Sequence, residues 1–214
     1  MNTSTNRSWA LFGPLAVVLW IAGLLLLTRN GPADHATGSE VLGWYRAHTT
    51  TIILGGWLFM LGCLGFVTFV SGLRPRLSEA AGAASQLPGL ALVGAGMAAG
   101  FGMLVAAVDV AGGIQKSNIG PTTALAFHDA SDIFFVCAEL AAILPLAAVA
   151  IVAWRTRILP RWWASLSGLV ALVLLVGPVG WAAVIFGLPI WTLGTSLFVL
   201  LRSPERMRAA AVAA

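Results

Sequence analysis

TALAFHDASDIFFVCAELAAILPLAAVAIVAW, residues 123–154, is apolar over a length that exceeds the roughly 20 residues a helix needs to cross a bilayer, yet it carries His128, Asp132 and Glu139. Their spacings of four and seven residues place all three on one face of a helix. An ionisable group inside a membrane is costly, about 2.5 to 3.5 kcal/mol for an aspartate at mid-bilayer on insertion scales, so such groups face protein or a water-filled cavity. This stretch therefore predicts both a membrane-spanning helix and a polar stripe that the rest of the fold must accommodate.

The whole chain repeats the first of these features. Its 214 residues are 59% hydrophobic and only 9% charged, with a mean hydropathy of +0.92, whereas about a quarter of a soluble domain is charged. An integral membrane protein with the lipid bilayer as its surroundings is implied. The net charge of +4 comes from basic residues standing singly or in pairs beside apolar runs, where the preference for positive charge on the cytoplasmic side accounts for them. It does not point to nucleic acid. Cys63 and Cys137 fall inside apolar runs with no Cys/His spacing around them, so neither a disulfide framework nor a metal motif is read.

Five apolar blocks stand out, at about 9–28, 50–73, 88–113, 123–154 and 162–201. The last is too long for one helix and is interrupted by Gly177-Pro178, Gly180 and Gly187-Leu188-Pro189, which are turn and helix-break signals. The reading is an all-α polytopic membrane helix bundle forming a single domain over residues 1–214. Its six transmembrane helices fall at about 9–28, 50–73, 88–113, 123–154, 162–179 and 183–201. With the N-terminus inside, Arg7, Arg74, Arg76, Arg155, Arg157, Arg161, Arg202, Arg206 and Arg208 are cytoplasmic and Arg29, Arg46 and Lys116 are outside. Both termini are then cytoplasmic. In the first outer loop, Ser39 and Glu40 as caps followed by Trp44 and Tyr45 predict a short interfacial helix with its aromatic pair at headgroup level. Trp162 and Trp163 are expected at the inner interface. Gly96 and Gly100, flanked by Gly94 and Gly102, form a small-residue motif for close helix approach, within the chain or with a partner.

The candidate chemistry lies toward the outer ends of the second, third and fourth spans. Counting inward from Trp154 puts Glu139 inside a layer of about 30 Å, Asp132 near its outer boundary and His128 about a turn beyond. Asp109 and His48 are expected at comparable heights. Glu139 is read as a carboxyl that carries a proton or binds a cation, with a hydrogen-bonded structural glutamate as the alternative. Pro145, unable to donate to Ala141, adds a kink one turn inward. His128 and Asp132 could orient one another as a relay, or simply sit at a helix start. Asp109 is expected to pair with Lys116. His48, Asp109, His128 and Asp132 would make a metal site only if three helices meet, and no spacing motif supports one. Ser165 and Ser167 lie away from the candidate bases. No catalytic residue, metal ligand set or cofactor is assigned.

Several segments together carry a resemblance: Glu40-Val41-Leu42-Gly43-Trp44-Tyr45-Arg46-Ala47-His48, Gly72-Leu73-Arg74-Pro75-Arg76-Leu77, Leu159-Pro160-Arg161-Trp162-Trp163 and the closing Leu200-Leu201-Arg202. In these the chain resembles an uncharacterised family of six-span bacterial integral membrane proteins, a domain of unknown function common in high-GC Gram-positive bacteria. The resemblance implies a six-helix fold and a bacterial inner membrane, and brings no activity with it. The leading functional expectation is an outward-opening polar pocket of Glu139, Asp132, His128 and Asp109, with His48, that binds or conducts a small solute, cation or proton. The alternatives are a non-catalytic membrane partner or regulatory subunit, bound to another membrane protein or to itself as a homodimer, and a metal-dependent intramembrane hydrolase.

Overall fold

Helix is the only regular structure among the described residues, as the apolar runs require, because in hydrocarbon each backbone N–H and C=O must be satisfied within its own segment. The computed structural model describes residues 8–33 and 35–201. A 3₁₀ turn, Ser8–Leu11, leads into α1, Phe12–Leu27. There follow α2, Gly38–Ala81, α3, Leu87–Gln115, and α4, Pro121–Thr156. The last block contains α5, Arg161–Val173, α6, Gly177–Ala182, a π-helical turn Ala183–Gly187, and α7, Leu188–Leu201. From α1 to α5 neighbours in sequence pack as neighbours in space, α2 also reaches α4, and α7 closes against α1. Five helical stretches are long and apolar enough to cross a membrane: Ser8–Leu27, α2, α3, α4 and Val179–Leu201.

The fifth of the six expected spans, 162–179, is not among them. At 13 residues α5 covers roughly 20 Å, short of a hydrocarbon layer of about 30 Å. It pairs antiparallel with α7: Trp163 donates to Thr195 Oγ1 at 3.0 Å and Trp191 to Ser167 Oγ at 2.9 Å. The Ser167 hydroxyl donates in turn to the Trp163 carbonyl at 2.8 Å. Past the turn between α5 and α6, α6 meets α4 at Glu139, midway along that helix, where a Cβ at Gly180 would fall on the Glu139 carboxyl. Leu172, Leu175, Val176 and Val179 are exposed around that turn, and no residue from Gly168 to Ile190 is charged. The start of α1, the C-terminal ends of α2, α4 and α7 and the start of α5 share one end of the bundle. There Arg76 lies over the Trp9 ring at 5.1 Å, and Leu73, Leu77, Ile158, Leu159 and Phe198 surround a small apolar gap. Arg7, Arg202, Arg206 and Arg208, which carry part of the charge argument, lie outside the described residues.

The segment read as an interfacial helix forms the start of α2 and is joined to the rest of it across a kink at His48. Its cap is Thr37 rather than Ser39: Thr37 N–H donates to Glu40 Oε2 at 2.6 Å and Glu40 N–H to Thr37 Oγ1 at 3.4 Å, a reciprocal capping box. Only His48 departs from helical geometry, at φ −118° and ψ 17°. There the hydroxyls of Thr49 and Thr51 take the carbonyls of Tyr45 and His48 at 2.7 and 2.8 Å, competition that bends helices. Trp44 and Tyr45 are buried rather than set at the surface; Tyr45 is 0% exposed. Trp162 and Trp163, both expected at an interface, divide, with Trp162 exposed and Trp163 buried.

Close helix approach is carried by other glycines than Gly96 and Gly100. A Cβ at Gly55 would stand 2.8 Å from Gly23 O, and one at Gly23 would stand 2.8 Å from Gly55 O, so α1 and α2 touch backbone to backbone. Gly94 faces Leu144 and Pro145 of α4, while nothing lies within 4 Å of a Cβ at Gly96 or Gly100. Replacement Gly55→Ala is expected to cost about 1 to 3 kcal/mol by overpacking, and Gly96→Ala to stay within about 0.5 kcal/mol. Equilibrium unfolding in mild detergent checks the contrast, and equal effects would contradict it.

Candidate functional site

Asp109 is drawn into the bundle by three helices at once. It sits on α3, 8% exposed, and each carboxyl oxygen accepts one hydroxyl: Tyr45 of α2 donates to Oδ1 at 3.1 Å and Ser131 of α4 to Oδ2 at 3.1 Å. Tyr45 can reach because Gly112, one turn along α3, leaves room for its ring; a Cβ there would stand 2.6 Å from Cε2. Val41, Leu42, Ala106 and Ala124 close an apolar shell around the contact. Buried polar groups of this kind must be paired, and the pairing ties α2, α3 and α4 together at one place.

His128 and Asp132 lie near enough to act on the Asp109 charge, in opposite senses. His128 is half-buried and Asp132 exposed, so the cluster grades outward from a satisfied acid to a solvent-facing one. No hydrogen bond joins His128 to Asp132 among the described residues. Because α4 begins at Pro121, His128 lies about two turns inside it and Asp132 about three, beyond the first turn where a helix dipole favours anions. Lys116 does not pair with Asp109 as expected. Its Nζ donates to Thr49 Oγ1 at 2.7 Å, since the bend at His48 turns that threonine toward the end of α3.

His48 belongs to a different neighbourhood. Its ring lies 3.5 Å from Asn30 Nδ2 and 3.3 Å from the Trp44 carbonyl, on the side of α2 facing the α1–α2 connection. Three helices do meet at Asp109, yet without His48. Among the described residues no three of the histidines, cysteines, aspartates and glutamates group as ligands for a metal ion.

Glu139 stands apart from both. It is roughly 12 Å along α4 from Ser131 by helix rise, only 4% exposed, and its carboxyl lies against the backbone of Gly180. No hydrogen-bond donor meets it among the described residues. Phe135 falls between it and Asp132 on the same stripe of α4. The five polar residues thus resolve into the Asp109 cluster with His128 and Asp132, the His48 contact and the Glu139 carboxyl.

Tyr45 and Ser131 were legible as residues but not as partners of Asp109, since nothing in their spacing links α2 to α4. Gly180 reads in the sequence as a helix breaker, and its role as the seat of Glu139 appears only when α6 crosses α4. Comparison of the chain with protein families, with curated proteins and with solved structures finds no match in any of the three.

Tyr45→Phe removes one of the two hydroxyls on Asp109 while keeping the ring on Gly112, and is expected to destabilise the fold by about 1 to 3 kcal/mol, the range for a buried bond to a charged or polar acceptor. Combined with Ser131→Ala in a double-mutant cycle, it should show non-additive losses. Strictly additive effects would mean that the two bonds do not form one network.

Proposed function

We propose that this chain is a multi-pass membrane protein that binds or passes a proton or small cation, with Glu139 as the binding carboxyl. The observation that carries the reading is the state of that side chain: buried at mid-bundle with no donor among the described residues. A carboxyl held in hydrocarbon without a partner is poorly explained as structure, because a packed apolar residue of similar size would serve better there. The Asp109 cluster is the outer polar station of the same reading, with His128 and Asp132 presenting opposite charges toward water.

The topology that goes with it has α1 to α4 as full crossings and α5 to α7 as a hairpin whose apolar tip stops within the membrane. The hairpin returns to the side from which it entered, so both termini lie on the side of Arg74, Arg76, Arg155, Arg157 and Arg161. On the positive-inside rule that side is cytoplasmic, and the membrane is proposed to be a bacterial inner membrane. A cysteine at Val176 is expected to resist a membrane-impermeant maleimide from either side, while one at Ala84 reacts; rapid labelling at Val176 would place the tip in water and overturn the hairpin.

In proteoliposomes under an imposed potential, proton or monovalent-cation flux through the wild type is expected to exceed that of Glu139→Gln at least tenfold, with folded yield unchanged. Equal flux in both proteins ends the proposal.

One observation favours a second reading, a membrane-partner or homodimer role. Gly96 and Gly100 face outward beside exposed Val93 and Met97, the arrangement by which membrane helices associate. A stoichiometric partner or dimer in mild detergent that is lost in Gly100→Leu supports it, and a monodisperse single chain counts against it.

A further inference from the structure

Between the last turns of α2 and the first turns of α3 lies a groove of about 630 Å³. It is lined by Arg74 and Ser78 of α2, by Ser85 and Gln86 of the connection, and by Leu90 and Val93 of α3, among others. Counted from the helix ends at Ala81 and Leu87, Arg74 and Val93 each lie about 10 Å along their helices. Charge and apolar surface therefore meet at one depth.

The polar side chains of this groove are not used by the fold. Neither the Arg74 guanidinium, the Ser78 hydroxyl nor the Gln86 amide makes a hydrogen bond or ion pair among the described residues. Gln86 stands at the N-cap position of α3 yet forms no side-chain cap. Ser85 differs, since its hydroxyl accepts Leu87 N–H at 3.4 Å. Glu79, the one acidic residue between Glu40 and Asp109, is not part of the lining. The groove thus gathers an uncompensated positive charge and two neutral hydrogen-bonding groups, and a guanidinium of this kind matches a phosphate with paired N–H bonds.

Beyond Val93 the same face of α3 is apolar. Leu90, Val93 and Met97 are exposed at spacings of three and four residues, one stripe of the helix. Gly96 and Gly100 on that face have nothing within 4 Å of a Cβ, so they leave a shallow channel beside the larger side chains. From Leu90 to Gly100 is roughly 15 Å by helix rise, half of a hydrocarbon layer of about 30 Å, which is the depth of one leaflet. A soluble anion would make no use of the stripe, and an apolar helix would leave Arg74 unmatched. An amphiphile with a phosphate above a hydrocarbon chain matches both, and in the order in which they occur.

We infer that this groove binds an anionic phospholipid, its phosphate on Arg74, Ser78 and Gln86 and one acyl chain along α3 from Leu90 to Gly100. Basic pockets between membrane helices take lipid headgroups in this way. A headgroup of net negative charge is preferred to a zwitterionic one, because a choline would bring a second cation to Arg74. The site is independent of Glu139, and it assigns the Gly96–Gly100 face to lipid rather than to a protein partner.

The test is native mass spectrometry of the full chain released from detergent micelles, titrated with phosphatidylglycerol, phosphatidylcholine or glycerol 3-phosphate. The wild type is expected to bind one phosphatidylglycerol at least fivefold more tightly than phosphatidylcholine, and to retain no glycerol 3-phosphate. Arg74→Gln should bring the two lipids within about twofold of each other, Gly100→Leu should weaken both, and Arg155→Gln, at the same end of the bundle but outside the groove, should leave the preference unchanged. No preference in the wild type, or an equal loss in Arg74→Gln and Arg155→Gln, overturns the inference. So does glycerol 3-phosphate binding as tightly as the lipid, or a second protein copy held on this face in place of lipid. Should Arg74→Gln fail to fold, the wild-type lipid comparison and Gly100→Leu decide.

Discussion

The missing side chain at Gly180 is the constraint on which the middle of this bundle turns. With a Cβ at that position, α6 could not lie against α4 without displacing the Glu139 carboxyl. With none, α6 lies directly against the acid. The tip of the hairpin of α5 to α7 is apolar throughout, so burying the carboxyl there is not offset by polar partners from the loop. An ionisable group kept under these conditions is best understood by what it binds, since packing alone would favour an apolar residue in its place.

The same small-residue logic builds the rest of the interior. In a membrane, helices gain little from excluding water and associate through close packing instead. Gly23 with Gly55 brings α1 onto α2, Gly94 receives the Pro145 turn of α4, and Gly112 makes room for Tyr45. That last contact has a polar consequence, because it lets a phenol from α2 reach Asp109 on α3 while Ser131 arrives from α4. Two acids therefore have opposite fates in one bundle. Asp109 is satisfied and ties helices together, whereas Glu139 is sequestered without a donor.

Much of this was legible from residues alone, and the reasons for the remainder are physical. Long apolar runs announced α1 to α4, and the stripe of His128, Asp132 and Glu139 marked the face of α4 that turns inward at Glu139. The burial of Glu139 followed from its position in the run. What could not be read was which side chains meet across helices, since helix periodicity orients a residue on its own helix and says nothing of its neighbour's register. Tyr45 thus looked like an interfacial aromatic and proved to be a buried donor, and Lys116 looked like the partner of Asp109 and instead reached Thr49. The outward-facing Gly96 and Gly100 carried the familiar spacing, while glycines without that spacing made the contacts. The break between α5 and α6 was foreshadowed by Gly177-Pro178 and Gly180, but the length of α5 was not.

The central claim is that Glu139 is a carboxyl that exchanges its proton or a cation rather than a fixed part of the packing. Infrared difference spectroscopy of the reconstituted protein reads this directly, because a protonated carboxyl has a C=O stretching band that its ionised form lacks. The account predicts a carboxyl band that is absent in Glu139→Gln and that diminishes reversibly as the pH is raised. Wild-type and Glu139→Gln spectra that coincide at every pH would contradict it.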